Sequence, residues 1–82
     1  MTNLREVVET SVIHWTNKIE SDLKNGGDQL NILNSIAHLR RNLMLLGISP
    51  ESLPQPGTKD CAMSLVRQAR QILLDLGQTK EN

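Results

Sequence analysis

Eighty-two residues with nine basic and nine acidic side chains, one Trp, no Phe and no Tyr suit one small domain with a core of Leu, Ile, Val, Met and Ala. The balanced charge steers the chain toward neither nucleic acid nor a cationic partner, and few faces exist for stacking on bases or flat cofactors. The longest apolar run, Leu43-Met44-Leu45-Leu46, is too short to span a bilayer.

Three apolar-periodic segments follow one another, each ending at glycine, which closes a last helical turn without a Cβ penalty. The first is expected as a helix over residues 3–25, capped by Thr2 or Asn3. Leu4, Val8, Val12, Trp15, Ile19 and Leu23 recur at helical spacing and form one stripe, while Ile13 falls on the opposite side. Asn25-Gly26-Gly27 is the predicted turn.

Asp28 is the predicted cap of a second helix over 28–47. Ile32, Leu33, Ile36, Leu39, Leu43 and Leu46 make its main face, and Leu30, Ala37 and Met44 widen the apolar arc to about half the circumference or more, where one contact needs only about 100°. Such a helix is expected to touch two neighbours or a partner chain. Asn31, Asn34, Ser35, His38, Arg41 and Asn42 mark its wet side, whereas Arg40 lies inside the apolar arc. That arginine must snorkel, meet a partner, or pair with an acid such as Asp22 or Asp75.

Residues 48–57 form a proline-containing linker. Ser49-Pro50-Glu51 predicts one short helical turn, and Leu53 should pin the loop to the core. The third helix is expected over 58–77, capped by Thr58 with Asp60 in its first turn, followed by a polar tail at 78–82. Ala62, Leu65, Val66, Ala69, Ile72, Leu73 and Leu76 are its buried stripe. Met63, Arg67, Arg70 and Leu74 form a second stripe well off that face.

No metal-ligand spacing, C-x-x-C or glycine-rich phosphate loop is present, so neither a metal nor a cofactor is expected, and the chain reads as non-enzymatic. Cys61 cannot form an intrachain disulfide, and a reducing compartment follows. The helix N-terminus and Lys59 beside it would lower its thiol pKa, but no adjacent base supports a nucleophile, and a small residue at the core edge is the plainer reading. Acids at Glu6 and Glu9, with no apolar block, do not read as a signal peptide, and the cytoplasm is the expected location.

Ala37-His38-Leu39-Arg40-Arg41-Asn42 followed by Leu46-Gly47 resembles the histidine phosphotransfer motif, with Arg41 matching the basic residue that follows the histidine. The resemblance implies phosphorylation at His38. The chain departs from the motif at Arg40, where an apolar residue is usual, at Asn42, where a small one is, and in the position of Gly47. His38 therefore reads as a solvated surface side chain.

The fold expected from these features is all-α: a small three-helix antiparallel bundle that completes a larger bundle by dimerising. Arginine and methionine are enriched at protein interfaces, and Arg40, Met44, Met63, Arg67, Arg70 and Leu74 are the candidate partner-binding residues. The expected function is a protein-binding module, meaning a regulator, inhibitor or accessory subunit, that contacts a protein partner or a second copy of itself. The alternative is a nucleic-acid-binding accessory protein using Arg40, Arg41, Arg67 and Arg70, although four arginines are few for that purpose.

Overall fold

Where apolar residues recur every three or four positions the chain is helical: α1 spans Leu4–Lys24, α2 Gln29–Leu45 and α3 Cys61–Glu81, with a 3-10 turn at Pro50–Ser52. The structure is a computed structural model and describes residues 4–55 and 61–81, the side chains of 78–81 excepted. The three helices pack together, with no strand among the described residues. Asp28 caps α2 in an extended conformation (φ −60°, ψ 133°), and its Oδ1 accepts the Leu30 N–H at 3.4 Å. The caps expected at Thr2 or Asn3 and at Thr58, with Asp60, lie outside the described residues.

Two of the three expected glycine stops are left-handed. Gly26 has φ 66°, and the next N–H, that of Gly27, donates to Asp22 O at 2.6 Å. Gly47 has φ 100°; its N–H donates to Met44 O at 3.0 Å and the Ile48 N–H to Leu43 O at 3.2 Å. Both ends close in the same way, with the residue after the glycine reaching back to satisfy an orphan carbonyl. Gly27 is needed for a different reason: a Cβ there would stand 2.9 Å from Asp22 Cβ and 3.2 Å from Asp22 Cα. The chain reverses against its own helix too closely for any side chain.

The third stop is a correction. Gly77 is not among the left-handed glycines, and α3 runs through it to Glu81. Glycine permits the left-handed turn without imposing it. In a helical conformation it weakens the helix by about 1 kcal/mol relative to alanine.

The core is aliphatic. Val8, Val12 and Ile19 of α1 meet Ile36, Leu39 and Leu43 of α2, and α3 adds Cys61, Ala62, Leu65, Val66 and Ala69. Leu53 is buried among them and pins the long connection, as expected. That connection is also tied to α3, because Gln68 Nε2 donates to Ser52 O at 3.0 Å. Ser49 occupies the cap of the 3-10 turn without a side-chain capping bond; instead the Ser52 hydroxyl donates to Ser49 O at 2.8 Å.

Helical phase placed one residue of α2 on the wrong side. Ser35, expected in water, is fully buried, while Ala37 is exposed together with Leu30 and Met44, the residues that widen the apolar arc. Ser35 precedes by one turn His38, whose ring lies on α1, so it stands in the α1–α2 seam, where a small side chain lets the helices approach. Thr16 of α1 is buried likewise, its hydroxyl donating to Val12 O at 2.6 Å.

The glycines make a signed test. Gly77→Ala should stabilise the protein by up to about 1 kcal/mol, since its backbone is helical and its surroundings are open. Gly47→Ala should destabilise it by about 1–2 kcal/mol through left-handed strain, and Gly27→Ala by about 1–3 kcal/mol through overpacking. Urea unfolding curves measure all three, and a destabilising Gly77→Ala would contradict the continuous helix.

Candidate functional site

The off-face stripe of α3 does not point into empty solvent. Its first half lies beside the last turns of α1, where Glu20, Leu23 and Lys24 join Met63, Val66, Arg67 and Arg70 around a hollow of 390 Å³. The helical periods of both elements explain it. Leu23 ends the apolar stripe of α1, and Met63 and Val66 sit at the flank of the buried face of α3, so neither helix covers the other there. Val66 is buried at the floor, while Met63 is 54% exposed and Leu74, further along the stripe, is 60% exposed. Leu73 and Leu74 line an adjoining hollow that shares Arg70.

Arg70 bridges the two helices. Its Nη2 lies 2.8 Å from Glu20 Oε1 and 3.4 Å from Asn17 Oδ1. The pair is exposed, so it contributes at most about 1 kcal/mol, but it neutralises one cation on the rim. Arg67 and Lys24 are exposed and have no ion-pair partner among the described residues.

The other predicted residues lie elsewhere. Met44 is on α2 and takes no part in the α1–α3 hollow, and Arg41 is exposed on α2. Arg40 is half-buried, its Nε enclosed without a hydrogen-bond partner among the described residues. It is bridged to neither expected acid: Asp22 pairs with Lys18 at 3.6 Å, and Asp75 accepts from Gln71 at 3.0 Å. Its cation lies near enough to Cys61 to act on the thiol. The exposed apolar stripe of α2 is Leu30, Ala37 and Met44, seven residues apart. A second hollow, of 470 Å³, opens beside Leu4, Val8, Leu45 and Leu46.

His38 is exposed, as expected for the wet side of α2, and it also forms half of a stack. Its ring lies parallel to that of Trp15, 4.4 Å between centroids and 6° between planes. His14 meets the same indole edge-on at 5.0 Å and 78°. The signal was present in the sequence, since Trp15 and His38 lie equally far on either side of Gly26-Gly27. Asn42 donates from Nδ2 to His38 O at 2.8 Å.

Cys61 belongs to the core, as the plainer reading has it, but its thiol pKa moves opposite to the lowering expected from the helix N-terminus. It is buried, and desolvation pushes its thiol pKa up, with the Arg40 cation opposing from nearby. Lys59, expected to lower it, lies outside the described residues. Among the described residues no group of three or more His, Cys, Asp and Glu could hold a metal ion, and no helix is long and apolar enough to cross a membrane.

No family model, curated protein or solved structure matches this chain.

Burial of Cys61 carries a pH signature. The folded chain holds the thiol proton more tightly than the unfolded chain, whose thiol titrates near pH ~8.5. The contribution is therefore fully present below that value and is lost as pH rises through the higher folded pKa. Urea unfolding across this alkaline range should show declining stability, and Cys61→Ala should flatten the decline. The absence of tyrosine removes one competing alkaline titration. An identical slope in the variant would show that the thiol is not the group involved.

Proposed function

We propose that this chain is a non-enzymatic protein-binding module of the cytoplasm, a small regulator, inhibitor or accessory subunit working through faces of α2 and α3. The observation that supports this is the set of large apolar side chains left in water: Leu30 and Met44 on α2, and Met63 and Leu74 on α3, the last two on the helix face that carries Arg67 and Arg70. A bundle this small has little reason to leave such side chains uncovered, and mixed methionine and arginine surfaces are characteristic of interfaces.

The same reading takes α1 and α2 as an antiparallel hairpin. The Trp15–His38 stack and the nearness of Leu4 and Val8 to Leu45 and Leu46 support it. It includes self-association through α2. Leu30, Ala37 and Met44 form a large–small–large pattern symmetric about Ala37. Two copies crossing antiparallel at Ala37 would set each Leu30 against the partner's Met44. No acid stands between residues 29 and 48.

Nucleic-acid binding is the weaker alternative. Arg70 is already neutralised by Glu20 and Arg40 is half-buried, which leaves Arg41 and Arg67 on different helices to meet phosphates. Phosphotransfer at His38 is weaker again, because Asn42 stands where the donor would dock.

Two experiments test the reading. Light scattering at micromolar concentration should give about twice the 9.2 kDa chain mass, and Leu30→Glu with Met44→Glu should return the mass to one chain with helicity kept. A wild-type protein that stays monomeric at high concentration removes self-association. Capture from nuclease-treated native extract should retain proteins on the wild type that the Met63→Glu, Leu74→Glu variant loses. Identical recovery by both, or recovery of nucleic acid alone from untreated extract, overturns the module.

A further inference from the structure

We infer that the hollow between α1 and α3 receives an acidic amphipathic helix, which docks as a fourth helix of the bundle. The inference rests on the protein-binding reading above and specifies the chemistry of the partner. The floor is apolar and adaptable. Leu23 and Met63 are partly exposed over buried Val66, and methionine fits irregular partners because its chain is unbranched and polarizable.

The rim is cationic and incompletely answered. Arg70 is held by Glu20 at 2.8 Å, while Lys24 and Arg67 have no ion pair among the described residues. The hollow therefore presents two uncompensated positive charges, one from each helix, on either side of an apolar trough. A helix with apolar residues at i, i+3, i+4 and i+7 and acids flanking that stripe matches both features. From Met63 to Arg70 the hollow follows α3 for about 10 Å, two turns of a docked helix, and the hollow at Leu73 and Leu74 adjoins it.

The same charges argue against other occupants. A second copy placed here would set Lys24, Arg67 and Arg70 against their own counterparts, with Glu20 the one acid on the rim and already bridged. A nucleic-acid strand would meet two free cations and an apolar floor without an aromatic side chain.

The test uses full-length protein and dye-labelled synthetic peptides, read by fluorescence anisotropy. One peptide carries leucines at i, i+3, i+4 and i+7 with glutamates flanking them; the second has lysines in place of the glutamates; a third is the scrambled acidic sequence. The acidic peptide should bind at least about tenfold more tightly than either control, and added salt should weaken it. Lys24→Glu with Arg67→Glu should reverse the preference toward the lysine peptide. Met63→Glu should weaken the acidic peptide, with circular dichroism confirming an intact fold. Failure of the acidic peptide to bind, equal binding of the scrambled peptide, or indifference to the charge reversal overturns the inference. Preference for the lysine peptide or for a labelled DNA strand overturns it too. The capture experiment decides the broader module reading separately, since it depends on no particular peptide chemistry.

Discussion

The reversal at Gly26-Gly27 sets the geometry on which the other contacts depend. Gly26 turns left-handed, Gly27 lies against the Cβ and backbone of Asp22, and Asp28 starts the next helix at once. With so little slack, few placements of α2 against α1 remain open. Trp15 falls opposite His38, and Leu4 and Val8 come beside Leu45 and Leu46. The small buried residues Thr16 and Ser35 then permit a close approach, and the remaining aliphatic side chains fill the seam. A longer or looser turn would let one helix slide and would lose this pairing first.

The core shows what a chain without Phe or Tyr can do. Branched aliphatics interdigitate well in a narrow seam but cover little area beyond it. Three helices packed this way leave troughs at their flanks, and here Leu23, Met63 and Leu74 line or border one of them. The exposed apolar groups follow from the same composition that builds the interior.

Helix positions, the Asp28 cap, the left-handed Gly26 and Gly47 and the pinning by Leu53 were all legible, because each depends on a few neighbouring residues. Gly77 was misread for an equally local reason: the residue allows both conformations, and nothing beside it decides. The error at Ser35 is of another kind. Helical phase orders residues around a cylinder but does not say where neighbouring cylinders will stand, and the packing of α1 on α2 supplies that missing angle. The candidate surface was legible as a stripe, Met63, Arg67, Arg70 and Leu74, but its other wall on α1 was not. Glu20 and Lys24 look like ordinary solvated charges until α3 is laid beside them.

The tie between Gln68 and Ser52 and the buried Leu53 bear on the order in which the molecule assembles. The α1–α2 pair is local in sequence and is the most extensive helix pair, so it closes at low entropic cost. Docking of α3 requires a contact such as Arg70–Glu20 across 50 positions, and fastening the connection at its middle divides one long closure into two shorter ones. The order expected from these separations has the third helix secured last and loosened first. Anything that grips α1 and α3 together holds the assembled state against that loosening, so occupancy of their common trough would register as resistance to unfolding.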